Sequence, residues 1–277
     1  MASNVPPLKE DLWDIFQIGG EGLQFLSSQT GIYDVDELKK HVLVIQAKAY
    51  QIMAYPCIRM FNFTRLKISV LPAYSRIMSL LRERPDAILL DLLGFGTDIR
   101  KAAADGFPIQ NLVACDLHRE FWNFGHELFR STPETFPVAF LEGDVFDRTP
   151  ICATLPPSLS TITSLTALNG HVSIVQASSF FHLFDEQMQT ELARSIAGLL
   201  SPLPGSMALG SQMGKTTAGY YRRPAFHPGD CEMGFAHSIE RCCPEETRRV
   251  ASVHDIAILP PTPEGDDGRL VWSITRL

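Results

Sequence analysis

The residues Leu89-Leu90-Asp91-Leu92-Leu93-Gly94-Phe95-Gly96-Thr97-Asp98 read as an apolar strand that ends in an acid and turns through two glycines into a helix. Glycine lets a backbone come close to a ligand, and the first turn of a helix offers unpaired N–H groups. A nicotinamide-binding loop would carry GxGxxG, but position 99 is Ile, so the third glycine is missing. A carboxylate at Asp91 would oppose a bound pyrophosphate and suit a ligand that presents a cation. By itself the glycine pair is also what a plain strand-to-helix turn requires.

Two further acids follow at matching places. Asp116 ends a second apolar run 25 positions past Asp91, near the ~20-residue offset at which an acid accepts both ribose hydroxyls in dinucleotide folds. Glu142-Gly143-Asp144 closes a third run, where a carboxylate could accept a hydrogen bond from an adenine amino group. Each acid alone is more often a solvated strand end or a cap. Three at successive strand ends point to the carboxyl edge of an open α/β sheet, where such sheets bind ligands.

The elements that must position these acids are short apolar runs alternating with amphipathic segments from Pro85 onward, the pattern of parallel βαβ units. Strands are expected at 88–90, 112–115, 138–141, 172–177, 206–209, 253–259 and 270–275. Helices are expected from Thr97, over 120–130, and from an Asp185 cap to Leu200. Before Pro85 the pattern is helical: Asp34 can cap a segment to Met53 in which Leu38, Val42, Ile45, Ala49 and Ile52 share one face. Tyr55-Pro56 should break it, and Pro72 could begin another helix through Arg82. The fold class is therefore α/β and Rossmann-like, a mostly parallel seven-stranded sheet in residues 85–277 with a helical N-terminal extension, or lid, over 1–84. The Gly/Pro/Tyr/His stretch 214–244 reads as a substrate loop.

Composition narrows the class. With 45% hydrophobic and 20% charged residues, the 277-residue chain is that of an ordinary globular protein. Its formal charge of −7 and lack of a Lys/Arg run argue against a nucleic-acid partner. No apolar run reaches the ~18 residues of a membrane span, and no secretory leader is visible in residues 1–14, so a cytoplasmic location is expected. Cys57, Cys115, Cys152, Cys231, Cys242 and Cys243 include no CxxC pair, so neither a metal site nor a redox motif is expected, and all six read as reduced thiols.

Across most of its length the chain resembles the fungal class I S-adenosylmethionine (SAM) dependent methyltransferases of natural-product, meroterpenoid-type pathways. The resemblance is carried by Gln29-Thr30-Gly31-Ile32, Tyr55-Pro56-Cys57-Ile58-Arg59, Leu71-Pro72-Ala73-Tyr74 and the loop from Leu90 to Arg100. It continues through Asp116-Leu117, Gly143-Asp144-Val145-Phe146-Asp147, Ala177-Ser178-Ser179-Phe180-Phe181-His182 and Gly210-Ser211-Gln212-Met213-Gly214. It implies SAM as cofactor, whose ammonium and sulfonium suit Asp91. Gly94, Gly96 and Asp98 would surround its methionine end, Asp116 and Leu117 its ribose, and Asp144 with Val145 its adenine. Ala177 and Ser178 would pass near the sulfonium. Phe180, His182, Gln212 and His237 fall on the substrate side; Arg59 could pair a substrate carboxylate bidentately or simply pack and bridge within the N-terminal extension. Residues 90–96 are one residue shorter than the family pattern and place Leu93 where it has its first glycine.

What this implies is O-methylation of a carboxylate or hydroxyl on a small hydrophobic metabolite. Methyl transfer is an in-line displacement in which alignment and exclusion of water matter most. A carboxylate acceptor needs no base; a hydroxyl would use one, and His182 is then the first candidate. The alternative is a methyltransferase fold that has lost methyl transfer and serves as a cyclase, isomerase or binding protein. A nicotinamide oxidoreductase is disfavoured by Asp91 and Ile99. The helical extension could cover the cofactor or pair subunits into a homodimer.

Overall fold

A computed structural model describes residues 6–8, 13, 20–92, 94–147, 158–222, 233–238, 251–259 and 268–277. The extension opens with α1 (Gly20–Thr30) and α2 (Val35–Ile52). Asp34 caps α2 as its position suggested, its carboxylate accepting the Glu37 N–H at 2.9 Å, an interaction typically worth about 1 kcal/mol. Leu38, Val42, Ile45 and Ala49 are buried along one face, whereas Ile52, expected with them, is exposed where the helix ends. Tyr55 adopts extended geometry (φ −64°, ψ 139°) before Pro56, the conformation that a following proline imposes, and the short α3 (Pro56–Arg59) starts on that proline. The next helix, α4 (Tyr74–Glu83), begins two residues after Pro72.

The strands are β1 (Leu89–Leu92), β2 (Leu112–Asp116), β3 (Ala139–Glu142), β4 (Ile174–Gln176), β5 (Met207–Gly214), β8 (Ala251–Leu259) and β9 (Gly268–Arg276). They form one seven-stranded sheet in the order β3-β2-β1-β4-β5-β9-β8. Pairings from β3 through β5 are parallel, and β9 inserts antiparallel between β5 and β8. Every residue of β1, β2 and β4 is buried, which is what coverage of both faces demands. Against one face pack α4 and α5 (Thr97–Ala104), through Ile77 and Ile99 onto Leu89, Ile174 and Leu209. On the other, α7 (Glu186–Leu199) sets Leu192 and Ile196 on Leu90 and Val175. The extension has its own cluster, and α6 (Arg119–Leu128) belongs to it: Phe25, Leu38, Val42 and Ile45 meet Phe95, Phe121 and Leu128.

Two expectations are corrected. The fifth strand runs to Gly214, five residues beyond Leu209. Part of the stretch read as a loop forms an antiparallel pair, β6 (Gly219–Arg222) with β7 (Met233–Ala236). Its β-formers Tyr220, Tyr221 and Phe235 were hidden among glycines, one of which leaves room for a tyrosine ring. A Cβ on Gly234 would lie 2.5 Å from the Tyr221 ring. Cys152, Cys231, Cys242 and Cys243 lie outside the described residues; Cys57 and Cys115 are free thiols.

Candidate active site at the carboxyl edge of the sheet

The parallel register puts Asp91 of β1 beside Ala114 of β2 and Gln176 of β4, so the acids of the glycine-loop motif come to one edge. Asp116, at the end of β2, accepts Gly94 N–H at 2.8 Å through one carboxylate oxygen and His118 N–H at 2.9 Å through the other. It thereby fixes the glycine turn to the second strand. Gly96 sits at φ 71°, and a Cβ there would come within 2.5 Å of the Trp122 ring, so both the conformation and the packing require glycine. Gly125 of α6 is constrained from the other side, since its Cβ would meet the Phe95 carbonyl at 2.2 Å. Phe95 is stacked between Phe63 of the extension (4.6 Å) and Phe121 of α6 (5.6 Å).

The extension is hydrogen-bonded to this edge. Thr97 donates its hydroxyl hydrogen to the Phe63 carbonyl, and one Asp98 oxygen accepts the N–H groups of Lys67 (2.7 Å) and Ile68 (2.9 Å). The second Asp98 oxygen accepts Gln176 Nε2 at 3.3 Å, and the same amide nitrogen donates to Ser178 Oγ at 3.0 Å. Ser178 Oγ also takes the Ser211 N–H at 3.1 Å. The Gln176 amide oxygen is buried and has no partner among the described residues, leaving an acceptor open to a ligand.

Electrostatics follow from this burial. Asp91, 6% exposed, has its carboxyl pushed well above the ordinary carboxylate range, first by desolvation and then by the Asp98 charge, with Lys67 pulling the other way. Burial also raises Asp116, opposed by the His118 and Gly94 N–H groups. Cys57 and Cys115 are both raised by burial, the latter to about 12, so neither is a reactive thiolate.

Asp116 with Gly94 and Asp98 with Gln176 and Ser178 thus form two hydrogen-bonded groups at this edge, and buried Asp91 feels the charge of both acids. Leu117 is exposed beside it, and Asp144 is exposed at the end of β3, capping its own turn by accepting Phe146 N–H at 2.9 Å. Val145, Ala177 and Phe180 are buried in the cluster beneath α7. His182 lies in a short helical turn whose carbonyl at that residue accepts the Tyr221 hydroxyl at 2.6 Å, which ties it to the β6–β7 pair. Gln212 is buried in β5, and the His237 ring stands edge-on to Phe235. Arg59 is the outlier: its Nε donates to the Pro7 carbonyl at 2.9 Å within the extension. A separate cavity of about 300 Å³ lies between α7 and the segment after β3 and contains Val145 but none of Asp91, Asp98 or Asp116.

Sequence reasoning passed over Gln176, Lys67 and Arg269. A lone amide within the apolar run of β4 is a signal that could have found Gln176. Nothing local marks Lys67. Arg269, on β9, donates to Ser211 Oγ at 2.8 Å, a contact set only by sheet register.

Residues 10–64 match the family described as the meroterpenoid methyltransferase N-terminal domain. The chain is 34% identical over 180 residues to O-methyltransferase atr3 of Stereocaulon alpinum, a span of 65% of this chain and 48% of the relative. It is 33% identical over 183 residues to O-methyltransferase phiE of Fungal sp. (strain ATCC 74256), 66% of this chain and 57% of that one. With the Asnovolin E/Chermesin D methyltransferase nvfJ of Aspergillus novofumigatus the figures are 33% over 175 residues, 63% and 58%. The chain therefore spans about half the length of the curated relatives it matches. With a parallel sheet gathering its acids at one edge, the chain is similar over residues 10–64 to the meroterpenoid methyltransferase N-terminal domain and over about two thirds of its length to fungal methyltransferases.

Proposed function

We propose that the protein is a SAM-dependent methyltransferase that O-methylates a carboxylate or hydroxyl of a small hydrophobic secondary metabolite. The observation that carries this reading is the gathering of Asp91, Asp98 and Asp116 around the Gly94–Gly96 turn at the sheet edge, in a chain related to named O-methyltransferases. The residues fit the group: a buried amide oxygen on Gln176 awaits a donor, and the glycine turn leaves the backbone approachable. Bound SAM supplies a methyl carbon already activated by its sulfonium. Gly94 and Gly96 would line the methionine end, Asp116 and Leu117 would take the ribose, and Asp144 with Val145 the adenine.

Ala177 and Ser178 sit at the end of β4, next to where the acceptor would present its oxygen. Phe180, Gln212 and His237 offer walls for a hydrophobic acceptor; His182 would remove the proton from a hydroxyl and would stand idle with a carboxylate. Arg59, turned to Pro7, braces the extension in this reading. Asp98 acts by holding residues 67–68 over the site, which keeps water out. We take residues 1–84 as lid and 85–277 as core, place the protein in the cytoplasm on the strength of its free thiols Cys57 and Cys115 and acidic composition, and regard the extension as a surface that could pair two copies. Among the described residues no helix is long and apolar enough to cross a membrane.

The test is calorimetric titration with S-adenosylhomocysteine, with Asp116→Ala as control, followed by transfer of labelled methyl to acids and phenols. Saturable binding lost in the variant, with labelled product, supports the reading. Absence of binding to folded protein moves it to the fold that has lost methyl transfer, a reading favoured by the shortened loop at residues 90–96.

A further inference from the structure

Lys67 belongs to the extension and yet is held at the core. Its N–H and that of Ile68 are both fixed on Asp98, and four residues earlier Phe63 is stacked on Phe95 of the glycine turn. The position of its Cα is therefore set by the same loop that shapes the site. Lys67 is partly buried as a residue, and its ammonium forms no ion pair among the described residues. Its main chain is bonded to Asp98, the residue that also holds Gln176 at the end of β4, and its charge is felt by Asp91 of β1. Buried Asp91 is held toward its neutral form, so it is a poor counter-charge.

On the opposite side of Asp98 stands the unpartnered Gln176 oxygen. The amide NH2 faces the Asp98 carboxyl group and Ser178, and the oxygen is the atom left over. The edge thus offers an uncompensated cation and a spare acceptor across one carboxylate.

We propose that Lys67 and Gln176 together read the zwitterionic amino-acid tail of the cofactor, the lysine ammonium binding its carboxylate and the glutamine oxygen its ammonium. The extension is then a contributor to the cofactor site as well as its cover. This rests on the SAM-dependent reading above.

The experiment compares S-adenosylhomocysteine with its decarboxylated form, which keeps the ammonium and lacks the carboxylate, by calorimetry on the full chain. Wild type should bind the decarboxylated form on the order of tenfold to a hundredfold more weakly, the value of a hydrogen-bonded charge pair. Lys67→Met should bind both ligands with nearly equal affinity while holding the decarboxylated form as wild type does, and Lys67→Arg should restore the discrimination. Gln176→Leu should weaken both ligands alike, since both carry the ammonium, and leave methylthioadenosine, which has no tail, unaffected. Discrimination by Lys67→Met equal to that of wild type overturns the proposal, as does equal loss of both ligands in that variant. If wild type binds none of these nucleosides, the methyltransferase reading itself fails and takes this inference with it.

Discussion

Replacement of Asp98 by Ala separates two roles for that carboxylate. In the structure it accepts two main-chain N–H groups of the extension, at 2.7 and 2.9 Å, and a side-chain amide from β4 at 3.3 Å. A hydrogen bond to a charged acceptor contributes about 1.5–3 kcal/mol net, and a buried donor left unmade costs about as much. Ile68 is fully buried and would bear the full penalty, whereas Lys67 is partly open and its N–H can recover water. Loss of the Asp98 charge also relieves Asp91, which returns part of the cost. The net expectation is a destabilisation of about 3 kcal/mol, or roughly 6–12 °C in Tm for a chain of this size. Thermal unfolding followed by circular dichroism measures it, and amide hydrogen exchange should accelerate first in residues 63–68. A variant that unfolds within about 0.5 kcal/mol of wild type yet no longer binds S-adenosylhomocysteine would refute the latch and make Asp98 a direct cofactor ligand.

Gly125→Ala should lose about 1–2 kcal/mol despite a helix-propensity gain of about 1 kcal/mol, because the new methyl meets main-chain oxygen at 2.2 Å and no rotamer relieves it; S-adenosylhomocysteine binding should weaken with it as the glycine turn shifts away from Asp116. Asp91 has a folded pKa raised above its ordinary 3.8, so the folded state holds the extra proton, and stability falls as pH rises from about 4 through the raised value and is flat above it. Asp91→Asn should therefore gain on wild type toward neutral pH and lose that advantage near pH ~4, as read from Tm across the range; a pH-independent difference would contradict the burial argument. Tyr221→Phe removes the hydroxyl bound to the His182 carbonyl, and the loss of about 1 kcal/mol should speed amide exchange of residues 219–222 roughly fivefold, with unchanged rates counting against hairpin docking through that bond. Arg100, sandwiched between Phe129 and Phe136 at 4.7 and 4.0 Å and lowered by burial to about 9, should tolerate Met at a cost below about 1.5 kcal/mol in urea unfolding, because the desolvation it suffers as a cation disappears.

Much of the frame is legible in the chain because it rests on local chemistry. The Asp34 cap, the break at Tyr55-Pro56 and the apolar runs of β1, β2 and β4 each follow from residues within a few positions of one another. The hairpin β6–β7 was not legible, since its strands are four residues each and Gly219 and Gly234 dilute their alternation. Strand ends shifted by up to five residues, at β5, because the length of a strand depends on what pairs with it, here β9 along eight positions.

The site divides along the same line. Glycine at 94 and 96 and acids at 91, 116 and 144 could be placed at strand ends from spacing alone, since a parallel sheet puts every βα turn at one edge. Which partners those acids take was settled by tertiary packing: Asp98 holds the extension at Lys67 and Ile68, about thirty positions earlier in the chain, and Asp116 reaches Gly94. Sequence fixes which groups can donate and accept, because that belongs to the side chain. Only the folded chain decides which of them meet, because distance in space between residues far apart in sequence is set by how helices and strands pack, and no local pattern carries that information.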